Sequence, residues 1–170
     1  MRRLVSTKWL TLLVLVALLS SAMVACGDDN SNANSVADGI TTTTRQQIID
    51  THPPAAPGKD QQLIRVIIPK GAVLAPHTHA GSILSIITEG TLTYTVYRDG
   101  TATLIHDATG KNPQQDTIKP GETKEIKPGD ALFEPQGIVH SGKNNGDVPI
   151  VIYQSALMDD GAPPSSPATP

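Results

Sequence analysis

The sequence predicts an all-β domain, an antiparallel barrel or sandwich built from many short strands. Three observations carry that expectation. Short runs of Ile, Val, Leu and Thr alternate with polar residues at period two, the spacing of a half-buried strand. Gly and Pro interrupt those runs at short intervals, as in closely spaced turns. Beyond the N-terminus no segment sustains a helical period. Aromatic residues make up only 3% of the chain, and one of them, Trp9, lies in the leader. The core must therefore come from β-branched and aliphatic residues, which suit strands.

The ends of the chain read differently from its middle. Arg2, Arg3 and Lys8 form a basic patch, and Trp9 to Ala25 is an apolar run ending in small residues, so residues 1–25 are a targeting segment. Met23-Val24-Ala25-Cys26 resembles a bacterial lipobox, with Met23 where Leu is usual. That resemblance implies cleavage before Cys26, lipid on Cys26, and an exported, membrane-anchored protein in the periplasm or on the cell surface. Cys26 is the only cysteine, so it has no disulfide partner within the chain. Residues 26–60 have the composition of a flexible tether, with Gln46-Gln47-Ile48-Ile49 as its one apolar patch and a candidate edge strand. Residues 158–170, rich in Pro and Ser, read as a second flexible tail. What remains, residues 61–157, is on the order of 100 residues, enough for one compact barrel.

Within that span, strands are expected at Leu63 to Ile68, Pro76 to His79, Ile83 to Thr88, Thr91 to Tyr97, Thr101 to Asp107, Thr123 to Lys127, Ala131 to Glu134 and Pro149 to Leu157. Asp99-Gly100 is a hairpin signal. Residues 108–122, with two Gly and two Pro, read as a long loop. Without the leader, 10 basic residues face 16 acidic ones, and no basic cluster stands out. Such a chain is a poor nucleic-acid binder.

Two histidine motifs lie about sixty residues apart. The first runs Gly71-x5-His77-x-His79 and closes at Gly90. The second runs Gly129-x5-Pro135-x-Gly137-x2-His140-x3-Asn144. Alternate residues of a strand share a face, so His77 and His79 place two imidazoles side by side, and His140 is a candidate third. Neutral imidazoles are good ligands for first-row transition metals. Asn144, beside Asn145-Gly146, reads as a turn-former, and His52 and His106 as solvated surface residues.

The paired motifs resemble those of the cupin superfamily over roughly residues 61–157. The second matches at all five fixed positions. The first departs where the family usually places a Glu ligand, because those positions here are Ile83 and Leu84. The resemblance implies an antiparallel double-stranded β-helix, or jelly-roll barrel, holding one divalent transition metal (Fe, Mn, Zn or Ni) on His77, His79 and His140. Glu134, on the strand before His140, could face inward as a ligand, a partner of a histidine or a general base, or outward to solvent; its strand phase is not legible. Ser85 and Tyr94 join Ile83 as pocket-lining candidates by alternation.

Three histidines without a carboxylate leave coordination positions open. Within the superfamily that looks similar to cysteine dioxygenase and a diketone-cleaving dioxygenase. The first functional expectation is therefore a dioxygenase-like enzyme acting on a small anionic substrate. The second is a non-catalytic binding or sensing module of the cell envelope, and the third a metal-free, isomerase-like cupin. The expected partners are a small molecule and the membrane through lipidated Cys26, with a homodimer left open.

Overall fold

The computed structural model describes residues 41–170. The leader, Cys26 and the tether up to residue 40 lie outside the described residues. The described residues form strands and no helix: β1 (Thr44–Thr51), β2 (Lys59–Ile68), β3 (Val73–Thr78), β4 (Gly81–Glu89), β5 (Leu92–Arg98), β6 (Ala102–His106), β7 (Gln114–Ile118), β8 (Thr123–Ile126), β9 (Ala131–Glu134), β10 (Val139–Asn144), β11 (Ile150–Asp159) and β12 (Ser166–Pro167).

The strands pair antiparallel in two sheets. One has the order β1-β2-β11-β4-β9-β6-β7, the other β12-β3-β10-β5-β8. Apart from β6 and β7, which stay together, each strand after β2 crosses to the sheet opposite its predecessor. This coiling is the expected double-stranded β-helix, and it brings β3 and β10 side by side although their sequences are far apart. The period-two pattern then decides which side chains enter the core. In β4, Ile83, Ser85 and Ile87 point inward while Leu84 is exposed; in β5, Leu92, Tyr94 and Val96 point inward. Fully burying one such aliphatic side chain contributes on the order of 1.5–3 kcal/mol.

Four local expectations need correction. The segment 108–122 is not one long loop, because β7 pairs with β6 at the edge of the larger sheet. An edge strand with a mostly solvated face needs no apolar alternation, and Ile118 is its one buried hydrophobic residue. Asp99-Gly100 does turn the chain, both residues having positive φ, but it joins β5 to β6 in different sheets and so makes no hairpin. The Gln46–Ile49 patch is the edge strand the sequence offered, and the correction is to the flexible tether around it, because that strand, β1, runs for eight residues and adds to the barrel sheet. Every residue of β1 is exposed, so its ladder with β2 holds it rather than burial.

The fourth correction concerns the C-terminal tail, which is seated on the barrel. Ser166 and Pro167 pair with Thr78 and His77, Ala168 N–H donates to Pro76 O at 3.0 Å, and Arg98 donates to Thr169 O from Nε at 3.3 Å and Nη2 at 3.1 Å. The exposed edge of β3 supplies the pairing groups, and an edge position tolerates proline, which lacks an N–H.

Asn144 does more than shape a turn. It is fully buried, and its Nδ2 donates to Ile68 O and Val148 O, both at 2.9 Å, while Oδ1 accepts from Gly146 N–H at 3.0 Å. Its backbone N–H donates to Ala72 O and its carbonyl accepts from Gly71 N–H, each at 3.0 Å. One side chain thus ties the end of β2 to the turn before β11. Asn144→Ala leaves two buried carbonyls without their donor and should lower stability by about 2–4 kcal/mol, read from urea unfolding. A loss within experimental error would show that Asn144 ties nothing.

Candidate metal centre

The larger motif elements converge through register. His77 on β3 is the cross-strand partner of His140 on β10. His79 lies just past the end of β3, two residues on from His77. Its carbonyl accepts the Gly137 N–H at 3.1 Å, so the turn of the second motif is fastened to the end of the first. Gly137 holds φ +87°, a left-handed conformation that glycine adopts without strain. Beyond His79 the chain passes close to β11: a Cβ at Gly81 would sit 2.2 Å from Leu157 O. The three imidazoles gather as a result. Their centroids are 4.3 Å apart for His77–His140, 5.0 Å for His77–His79 and 5.1 Å for His79–His140. One ring nitrogen from each lies within 4.8 Å of the other two.

Backbone carbonyls fix which nitrogen of each ring faces the cluster. Nδ1 of His77 lies 2.7 Å from Ala75 O, Nδ1 of His79 2.6 Å from Pro164 O, and Nδ1 of His140 3.2 Å from Ile138 O. A carbonyl only accepts, so each Nδ1 carries the proton and each Nε2 keeps a free lone pair. Burial lowers the pKa of His79 and His140 to about 4; for His79 the Glu134 carboxylate pulls the other way without reversing the shift. Both rings are therefore neutral near pH 7, the form that can ligate.

Glu134 faces inward. It is 4% exposed, and its Oε1 stands 3.2 Å from His140 Nε2. Two lone pairs at that separation repel unless a proton or a metal cation sits between them. Burial drives the Glu134 pKa up, His79 acting against it. Neither its Oε2 nor the buried Tyr94 hydroxyl makes a well-formed hydrogen bond, although the two side chains are close enough for each to shift the pKa of the other. The Tyr94 ring stacks on His140 at 5.3 Å, and its pKa is raised, chiefly by burial and further by Glu134. Ile83 is the register partner of Glu134 on the neighbouring strand β4. Where the first motif lacks its carboxylate, one is thus supplied from β9. Three imidazole nitrogens beside a buried carboxylate fit a divalent first-row transition ion, whose charge would offset that of Glu134.

The cluster opens into a cavity of about 470 Å³, lined largely by apolar side chains, that includes Ile83, Ser85, Tyr94 and Glu134. Ser85 accepts from Gln154 Nε2 at 3.3 Å. Gln154, Arg45 and the tail residues Pro164, Ser165 and Pro167 also line the cavity and were not anticipated. Gln154 was discoverable, because it shares the inward period of Ile150, Ile152, Ala156 and Met158 along β11. Proline-rich composition gave no signal for the tail. His52 and His106 stay apart from the three-histidine cluster. The His52 side chain is 74% exposed and pairs with Asp60 at 2.8 Å; His106 Nδ1 stands 3.6 Å from Asp130.

Pro164 contributes the carbonyl that holds His79, so the tail belongs to the site. Deleting residues 162–170 should weaken zinc binding about 10–100-fold in a competition with a chromogenic chelator, the usual scale for losing a partner that orients a ligand. His77→Ala should abolish tight binding in the same assay. Wild-type affinity in the truncated protein would remove the tail from the site.

Residues 60–163 match the family model described as Cupin. Two solved structures are similar across most of the chain. One is an uncharacterized conserved protein with a double-stranded β-helix domain from Klebsiella pneumoniae, at 18% identity, covering 76% of this chain and 87% of that one, with a TM-score of 0.51. The other is the polyketide cyclase RemF from Streptomyces resistomycificus, at 19% identity, covering 76% and 73%, also with a TM-score of 0.51. At these identities the likeness concerns the fold alone. No curated protein sequence matches the chain. With the family model spanning more than half of its length and both histidine motifs on adjacent strands of a double-stranded β-helix, the chain belongs to the cupin family.

Proposed function

We propose that this cupin binds one divalent transition metal through Nε2 of His77, His79 and His140 and acts as a dioxygenase-like enzyme on a small anionic molecule. The observation that carries the reading is the convergence of three imidazoles, each with Nδ1 against a backbone carbonyl, beside a buried carboxylate in an open apolar cavity. A divalent ion there supplies Lewis acidity and, as iron, redox chemistry with oxygen. The chain's own groups do the rest. The apolar walls exclude water from the reacting molecule. Glu134, with its pKa raised by burial, accepts or holds a proton at its carboxyl group next to the cluster. Tyr94, its hydroxyl beside Glu134 and without a well-formed hydrogen bond, offers a donor to an anionic oxygen.

The test is elemental analysis of protein purified without an affinity tag, followed by oxygen-electrode measurements with a panel of small organic acids. About one iron per chain and oxygen uptake with one of the acids are expected. Glu134→Gln should then retain metal and lower kcat by about 10²–10⁴-fold, the usual contribution of a positioned acid–base group. Metal without oxygen uptake would leave the binding or sensing module, and a chain that takes up no metal would leave the isomerase-like reading.

We further propose that the protein is exported and anchored to the membrane by lipid on Cys26, as the Met23-Val24-Ala25-Cys26 sequence and the absence of any second cysteine suggest. Mass spectrometry of protein from its native host should find Cys26 as the lipid-modified first residue. A different mature N-terminus, or a free Cys26 thiol, would refute the anchor.

A further inference from the structure

We infer that Arg45 is an anion-binding residue of the cavity wall, so that the molecule taken up carries a carboxylate or similar anion that Arg45 engages. The inference deepens the small-anion reading above and relies on it for the use of the pocket. Arg45 lies on β1, the outermost strand of the larger sheet, and pairs with Val66 of β2. Val66 belongs to the core and to the cavity wall, and directly paired residues share a face, so Arg45 stands on the concave side. It lines the cavity together with Thr43.

The surroundings of Arg45 leave its charge available. Its Nη2 donates to Gln62 Oε1 at 2.9 Å; Asp50 on the same strand acts on it electrostatically but accepts a hydrogen bond from Gln47 at 2.7 Å, and no carboxylate forms an ion pair with Arg45 among the described residues. A guanidinium has five donors arranged as a fork that suits the two oxygens of a carboxylate. The one carboxylate lining the cavity among the described residues, Glu134, sits on β9, four strands from β1. At about 4.8 Å per strand that is roughly 19 Å along the curved sheet, so the cationic and the acidic side chains of the lining come from well-separated strands. The strands between them line the cavity mostly with apolar side chains, among them Ile64, Val66, Ile152 and Ile83, with Ser85 and Gln154 as polar groups. A mostly apolar lining that holds one guanidinium matches an amphiphilic acid.

Two probes with the same phenyl-and-alkyl body separate the contributions: 4-phenylbutyrate, which carries the anion, and 4-phenylbutan-1-ol, which does not. Binding is measured calorimetrically on the full chain after chelator treatment, so that no ion can capture the carboxylate. The wild type should bind the acid about tenfold more tightly than the alcohol, the scale of a charge-assisted hydrogen bond. Arg45→Gln should erase that preference by weakening the acid alone, and Arg45→Lys should keep part of it. Equal affinities in the wild type, no binding of either probe, or an acid preference surviving in Arg45→Gln would each overturn the assignment. Zinc affinity, measured separately, should be the same in Arg45→Gln as in the wild type. Loss of the metal reading would therefore show in that titration and leave the acid-to-alcohol ratio as an independent measure of Arg45.

Discussion

The site depends on one register pairing, His77 opposite His140 on β3 and β10. Side chains alternate across a sheet, so a slip of one residue in either strand would send an imidazole to the outer face and dissolve the cluster. The pairing is held some distance from the histidines. Asn144 exchanges backbone hydrogen bonds with Gly71 and Ala72, and its side chain reaches Ile68 and Val148. The irregularity between His140 and Gly142 shows that the ladder is not uniform, so these bonds at its far end fix where β10 begins counting. The spacing of the second motif thereby acquires a mechanical reason: the same strand presents a histidine to the cavity and an asparagine to the frame.

Electrostatics is the next constraint. A buried carboxylate without a hydrogen-bond partner on Oε2 is expensive, and folding alone gives no reason to keep Glu134 on the inner face of β9 opposite Ile83. Its cost is offset by a proton or by a cation shared with His140. Both answers suit a reactive site, because either leaves a carboxyl group whose protonation can change beside a bound molecule. The three histidines are oriented for the same role by carbonyls that hold Nδ1, and for His79 and His140 burial disfavours the imidazolium.

Much of this could be read in the sequence because it follows local periodicity. The inward placement of Ser85 and Tyr94 came from alternation alone, that of Ile83 from the resemblance of the first motif, and the side-by-side placement of His77 and His79 from alternation again. Other features depend on partners that a sequence does not display. The direction of Glu134 depends on how β9 enters the barrel, and four residues are too few to fix a phase. The polar strand β7 is held by its ladder with β6 rather than by an apolar face. Asp99-Gly100 marked a turn correctly, but the choice between returning to the same sheet and crossing to the other is made by the barrel.

The least legible parts are those that give the cavity its individuality. A cupin frame supplies the inner wall and the histidines, and many chains can build it from similar aliphatic residues. The rim here comes from β1 and from the proline-rich C-terminal segment, both of which compositional reasoning assigned to flexible ends. Neither needs a buried apolar face: β1 is held by backbone pairing with β2, and the tail by pairing with β3 and by Arg98. Segments attached in this way can change sequence with little cost to the core, since few packed side chains restrain them. They nevertheless contribute Arg45, Pro164, Ser165 and Pro167 to the cavity, and the Pro164 carbonyl reaches a histidine of the cluster. Selectivity for a ligand can therefore vary at the rim while the geometry of the three histidines stays fixed by register. This division explains how the frame can be evident from sequence while the identity of the molecule it holds is not.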